Sequence, residues 1–315
     1  MRKIIAKILL SSRLANFESD QINTNMEIKV FLLKAFGVDE SGGNPAGVVL
    51  NAEDLTEEQK KTISREVGFS ETAFVEKSDR ADFKVTFFTP TNEVDMCGHA
   101  TIATYSLLFQ NGIIKPGNYI QEIKAGELGI SVNDGGLVTM EQKLPIFSEF
   151  IDAPEIHNVF GKVNFIEGLI PQIVSTGLRD IILPVRNREE LFSMRPNYKK
   201  MADFNNRTDT IGTHAFTLDV IKQESVANCR NFAPLYGINE ESATGSSNGA
   251  LACYLFKYGK LATGNLTKLQ FEQGYSMQKP SQITVYLQTR QGNISKVEVG
   301  GKAIIFGEKE LNLVD

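Results

Sequence analysis

The sequence has no excess of positive charge. Its 33 lysines and arginines stand against 38 aspartates and glutamates, a net −5. A nucleic-acid surface needs the opposite balance, so that class of partner is excluded. Cysteine is scarce too. Cys97, Cys229 and Cys253 are too few and too scattered for a disulfide framework, and they fit a reducing, cytoplasmic compartment. No apolar run approaches the ~18 residues of a membrane span, so no membrane partner is expected. The glycines of 41–47 match neither a dinucleotide fingerprint nor a P-loop. Cys97 and His99 lie two apart, but no second pair with metal-ligand spacing accompanies them. The glycines are therefore assigned no phosphate role, and no metal site is expected. His157 and His214, the remaining histidines, read as surface or satisfied loop residues. Cys229 and Cys253 read as small buried side chains.

What is present is enough apolar content, 42%, for sizeable cores in about two domains. Residues 1–25 begin with two basic residues and a short apolar run. Lys7 breaks that run and no small-residue cleavage site follows, so the segment is expected to be an extension outside the fold. From Met26 the pattern becomes regular. A strand over 27–36 precedes a turn at 41–47 and a returning strand at 47–50. A helix begins at Thr56, with Gln59 completing a capping box, and stops at Gly68. Alternation of Phe83, Val85 and Phe87 predicts a half-buried strand. Further short strands are expected near 119–124, 128–132, 136–141, 168–174, 215–221, 228–232, 268–272 and 282–287. Helices are expected near 155–160, 188–192 and 197–204. The segment 297–313 reads as a hairpin with Gly300 and Gly301 in its turn. Many short strands with few helices predict an α+β fold.

The stretch 88–112, FTPTNEVDMCGHATIATYSLLFQNG, contains a helix with almost no polar side, which predicts burial all round. Gly112 is placed to end it in the left-handed conformation. A second stretch repeats the device. Phe88-Thr-Pro90 is matched by Phe232-Ala-Pro234, and Glu93 and Asp95 by Glu240 and Glu241. Gly98-His-Ala100 is matched by Gly245-Ser-Ser-Asn-Gly249, Ala103/Tyr105 by Ala252/Tyr254, and Gly112 by Gly259. Two similar domains, each wrapped around one buried helix, account for this. Two such helix N-termini facing each other would form a pocket that favours an anion. The run from Gly245 to Gly249 also fits the nucleophile elbow of hydrolases, with Ser247 as nucleophile. Polar residues before it and the absence of any later histidine argue against that reading. Glu71, in Ser-Glu-Thr at the start of a strand, stands out when combined with His99 and the acidic pair. Carboxylates and an imidazole are suitable groups for moving a proton on carbon. Helix N–H groups holding a substrate carboxylate would stabilise an enolate-like state.

These motifs resemble those of PhzF-like (phenazine-biosynthesis-like) proteins, within the diaminopimelate-epimerase fold group. The carriers are GNPAGVV at 43–49, GFSETAFV at 68–75 and FFTPTNEVDMCGHATIA at 87–103. Others are STGLRDIILPV at 175–185, RNFAPLYGINEESATGSSNGALACYL at 230–255 and FEQGYSMQKPS at 271–281. The resemblance implies two pseudo-symmetric domains, each a β-barrel-like sheet around a central helix, with the site in the cleft between them. Residues 26–142 with about 303–315 would form the first domain and 143–302 the second. The last strand would cross back to the first. It also implies a cofactor-independent isomerase or epimerase acting on a small carboxylate-bearing substrate, and a possible homodimer. Glu71 corresponds to the acid/base residue, and His99 and Glu241 to its assistants. Gly98, Gly245 and Ser246 correspond to the substrate-binding positions. The family usually has Glu-Asp-Pro where this chain has Glu240-Glu241-Ser242, and Arg where it has Lys279. Cys97 occupies the place of one catalytic cysteine of diaminopimelate epimerase, but the partner position is Thr244. A two-thiol racemisation is thus unavailable, leaving Glu71, partly buried, as the base. A non-catalytic member of the fold that binds a small anion or a protein in the same cleft is the alternative.

Overall fold

The computed structural model describes residues 26–261 and 264–313; the expected extension 1–25 lies outside them. Among the described residues, eighteen strands join in one hydrogen-bonded network, accompanied by helices that cover it or pass through its middle. The α+β class expected from the sequence is observed. Among the described residues no helix is long and apolar enough to cross a membrane.

The order of strand pairing repeats. In the first half, Met26–Ala35 pairs antiparallel with Asn44–Val49, which runs parallel to Thr72–Glu76. That strand pairs antiparallel with Phe83–Phe88, which meets Glu93–Val94 antiparallel and Gly117–Ile123 parallel. Gly126–Val132 and Val138–Gln142 complete the series as an antiparallel meander. In the second half Gln172–Ser175, Arg179–Pro184, Gly212–Thr217, Ala227–Ala233, Ile238–Glu241, Leu266–Gln273, Ser281–Arg290 and Asn293–Gly301 follow the same sequence of parallel and antiparallel pairings. The halves join where Val138–Gln142 pairs with Asn293–Gly301.

Two expectations need correction here. The segment 297–313 is not a hairpin. Gly300 and Gly301 lie inside Asn293–Gly301, and the strand after them, Ala303–Leu313, pairs with Met26–Ala35 instead. The physical reason for the glycines is close approach. A Cβ on Gly300 would stand 2.4 Å from the Val138 carbonyl oxygen, and one on Gly301 would stand 2.4 Å from the Phe36 ring. The strand Ile146–Phe150 was not expected. It pairs with Gln172–Ser175 and keeps Ile146 and Phe150 exposed, so it lacks the buried alternation that marks a strand in sequence.

Gly98–Gln110 and Gly245–Lys257 are the two central helices. From His99 to Leu108 every residue of the first is buried, and the second is buried nearly as completely. Both belong to one apolar cluster with strand residues such as Val48, Val85, Ile283 and Val285. Each fully buried leucine among them, Leu107 or Leu251 for example, contributes about 1.5–3 kcal/mol by leaving water. Both helices end alike. Gly112 has φ 69° and lets Ile113 N–H reach back to the Leu108 carbonyl at 2.9 Å. Lys260 N–H returns to Leu255 at 2.9 Å in the same way, past Gly259. The helix after Thr56 carries the capping box expected for it.

Candidate active site

Both central helices start at the junction of the halves, and glycine lets them sit there. A Cβ on Gly98 would stand 2.7 Å from the Met140 Cε, and one on Gly245 would stand 3.0 Å from Val299 Cγ1. Met140 and Val299 are register partners across the joining ladder. Two helix N-termini are therefore brought to one place. No side chain caps either helix: Cys97 and Thr244 hold the N-cap positions without a capping hydrogen bond. Orphan N–H groups and the positive end of a dipole are thus available twice.

The ionisable groups converge on the same place. Glu71 is the residue before strand Thr72–Glu76, and its side chain is 15% exposed. Its Oε2 lies 3.4 Å from His99 Nε2, in a geometry that makes no hydrogen bond, and is buried without a hydrogen-bond partner. The other nitrogen of the ring, Nδ1, is 3.9 Å from Glu241 Oε1 and 3.4 Å from Cys97 Sγ. One buried imidazole thus stands between two carboxylates, one from each half. Glu71, Cys97 and His99 offer donor atoms that all lie within 4.8 Å of one another. The sequence presented only a Cys-x-His pair here; Glu71 arrives from a strand entry elsewhere in the first half.

Glu241 is firmly held. Asn44 Nδ2 donates to its Oε1 at 2.8 Å, and Thr244 Oγ1 donates to its Oε2 at 2.5 Å. Burial pushes its carboxyl above the ordinary range, while His99, Thr244 and Asn44 pull it down and Glu71 pushes it up. Burial, and next the Glu71 charge, push the Cys97 thiol well above its ordinary range, so it is no ready thiolate. Glu240, its neighbour in the acidic pair, has a separate task. Arg230 donates to it through Nε at 2.8 Å and Nη2 at 2.7 Å. Ser242, in place of the usual proline, donates its hydroxyl to the Gly43 carbonyl at 2.8 Å and so ties the halves together.

Asn44 and Asp180 were not singled out in the sequence. Asn44 was read as part of a turn, yet the strand begins there because 44–49 pairs with 30–35. Asp180 lies beneath the second central helix, 2% exposed, and accepts from Ser247 Oγ at 2.7 Å. Burial pushes Asp180 up from 3.8 to about 7, with Ser247 opposing and Glu241 adding to the rise. Ser247 is thus buried and engaged, not presented at an elbow as a nucleophile would be. Ser246 is half-buried, with its carbonyl accepting from Thr176 Oγ1 at 3.3 Å. His157 is exposed on its helix, with Nε2 3.1 Å from the Val163 carbonyl. His214 departs from the expectation of a surface or loop residue. It is fully buried in strand Gly212–Thr217, 3.0 Å from Asn231 Oδ1, and burial lowers it to about 4. Cys229 and Cys253 are buried as expected. A groove of about 430 Å³ beside Lys60, Lys84 and Glu122 lies elsewhere; there Lys60 and Lys84 are paired with Glu76 and Arg80 with Glu122.

Residues 33–309 match the family described as phenazine biosynthesis-like protein, PhzC-PhzF. An uncharacterized isomerase of Bacillus subtilis, YfhB, is 32% identical over 88% of this chain and 96% of its own length. A trans-2,3-dihydro-3-hydroxyanthranilate isomerase of Pseudomonas chlororaphis is 26% identical over 88% of this chain and 96% of its own. Among solved structures, a PhzF-family phenazine biosynthesis protein of Bacillus anthracis superposes with a TM-score of 0.85 at 30% identity, covering 91% of this chain and all of that one.

Proposed function

Since the chain belongs to the phenazine biosynthesis-like family and is an isomerase of that family, we propose that it moves a proton on carbon of a small carboxylate-bearing substrate, with Glu71 as acid/base. The observation that carries this reading is the single imbalance at the helix junction: His99 stands between Glu71 at 3.4 Å and Glu241 at 3.9 Å. One carboxylate can take a proton from one carbon and return it to carbon, acting first as base and then as acid. Glu71 has an oxygen with no hydrogen bond to give up, so it is the base. Glu241 is in an environment that favours its protonated form, so it is suited to assist as a hydrogen-bond donor while Glu71 takes and returns the proton. His99, with a nitrogen toward each, stands between the two carboxylates and helps orient them. The N–H groups at Gly98–His99 and Gly245–Ser246 hold the substrate carboxylate and stabilise the charge that develops beside it. The relative from Pseudomonas chlororaphis, whose named substrate is itself a carboxylate, supports that substrate class. In the same reading, 26–142 with 303–315 is one domain and 143–302 the other, and substrate lies between them.

Solvent deuterium exchange tests the assignment. Trans-2,3-dihydro-3-hydroxyanthranilate and a panel of small amino and hydroxy acids are incubated with enzyme in heavy water and followed by mass. Wild type incorporates deuterium into its substrate, and Glu71→Gln does so slower by about 100-fold or more. Undiminished exchange in the variant sinks the assignment.

A further inference from the structure

Gln273, in the run FEQGYSMQKPS, is wholly buried at the end of strand Leu266–Gln273, and its side chain meets the segment that carries Glu241. Gly274 permits the close approach. A Cβ there would stand 2.7 Å from the Ser242 carbonyl oxygen and 2.2 Å from that of Lys279. Both ends of the Gln273 amide are fully used. Oε1 accepts from Thr244 N–H at 3.1 Å and from Asn248 Nδ2 at 2.9 Å. Nε2 donates to the Glu241 carbonyl at 2.8 Å and to Thr244 Oγ1 at 3.1 Å. One buried amide thus braces the acidic segment, the N-cap residue and the first turn of the second central helix.

The backbone partners fix which end of the amide is which. An N–H can only donate and a carbonyl can only accept, so Oε1 must face Thr244 N–H and Nε2 must face the Glu241 carbonyl. The second Nε2 hydrogen then occupies a lone pair of the Thr244 hydroxyl. That hydroxyl has a single proton, and its acceptor is Glu241 Oε2, 2.5 Å away. The direction of donation is therefore set along the chain Gln273, Thr244, Glu241. Asn44 Nδ2 supplies the donor to the other carboxyl oxygen, Oε1, at 2.8 Å.

We propose that Gln273 is a positioning residue of the isomerase: it holds the backbone at Glu241 and aims the Thr244 proton at the Glu241 carboxyl, keeping that carboxyl in place beside His99. Without Nε2 the Thr244 hydroxyl is free to turn away. A carboxylate that loses a donor holds its own proton more tightly. The titratable groups that act on Glu241, namely His99, Glu71, Cys97 and Asp180, are unaltered by a change at position 273. The brace stands on its contacts; its effect on turnover rests on the acid/base reading above.

The test follows Glu241 itself, by carbon NMR of the full chain labelled at its glutamate carboxyls, with the signal assigned by its loss in Glu241→Gln. Gln273→Met keeps the length of the side chain and removes both hydrogen-bonding ends. The Glu241 midpoint then moves up by about half a pH unit or more, and Thr244→Val moves it likewise. Thr244→Ser, which keeps the hydroxyl, stays at the wild-type midpoint. Gln273→Met added to Thr244→Val moves it no further, because the two act through one proton. Deuterium exchange into substrate by Gln273→Met falls by about 10-fold or more in kcat. An unmoved midpoint in folded Gln273→Met, or shifts that add in the double variant, overturns the proposal. A shifted midpoint with unimpaired exchange overturns the role in turnover. If no substrate exchanges at all, the acid/base reading fails while the carboxyl titration still decides the brace. Should Gln273→Met fold poorly, Gln273→Asn, one methylene too short to reach all its partners, must give the same upward shift.

Discussion

Asp180 sets a pH dependence that can be calculated and removed. Its carboxyl lies under the second central helix with one donor, Ser247 Oγ, and burial raises it from 3.8 to about 7. In the unfolded chain it titrates near the ordinary value. A folded pKa above the unfolded one means the unfolded state loses its proton first. The stability contributed by protonated Asp180 is full below pH ~4 and is lost as pH rises through about 7. The whole span corresponds to ~4 kcal/mol, of which ~3 kcal/mol falls between pH 5 and pH 8. Asp180→Asn has nearly the same shape, can still accept from Ser247, and does not ionise. The chain has no tryptophan, so urea unfolding is followed by circular dichroism. Titrating groups that do not interact with Asp180 are common to both proteins and cancel in the difference; Glu241, whose charge adds to the Asp180 rise, is the exception. From pH 5 to pH 8 the wild-type midpoint should fall relative to the variant by about 1 M urea, taking a slope of ~3 kcal/mol/M. Midpoints that move in parallel, or a variant that loses ground as pH rises, would refute the argument.

Three further outcomes are expected. Glu241→Asp draws the carboxylate back by one methylene, and Asn44, Thr244 and His99 cannot all follow; isomerisation should drop by about 100-fold in kcat, with the melting curve little changed. Gly300→Ala forces a Cβ toward the Val138 carbonyl and Thr139, with no flexible side chain to yield at the carbonyl. A cost of about 1–3 kcal/mol should lower the melting temperature by several degrees, and an unchanged melt would show that the joining ladder can open there. Arg230→Met leaves half-buried Glu240 without its bidentate partner and with only Ser276 Oγ donating to it, a loss of about 2–3 kcal/mol by denaturant titration; a double variant with Glu240→Gln should recover part of it.

The central helices were legible because all-round apolarity has one structural meaning, burial on every side, and Gly112 and Gly259 mark their ends chemically. The capping box at Thr56 was legible for the same reason: its signal is local. Gly300-Gly301 misled because two adjacent glycines read as a turn, whereas here they are required by a neighbouring strand that sequence order does not reveal. Within the site, Glu71, His99 and Glu241 could be picked out as chemistry-bearing residues near helix starts. Their distances could not, since Glu71 and Glu241 reach His99 from opposite halves. Asn44 and Asp180 carried no signal at all. An amide in a glycine-rich stretch and an aspartate after an arginine look like solvated turn residues, and only the fold shows that both are buried.

The pairing of Ala303–Leu313 with Met26–Ala35 has a consequence for the order of assembly. On the ribosome, the strand that flanks Met26–Ala35 is made only after everything between them has emerged. The half that carries Glu71 and His99 must wait with one edge unpaired, while the segment 172–301 already holds every strand of its own repeated series. By this connectivity the half whose first strand is made earliest is the later one to acquire its full set of strands.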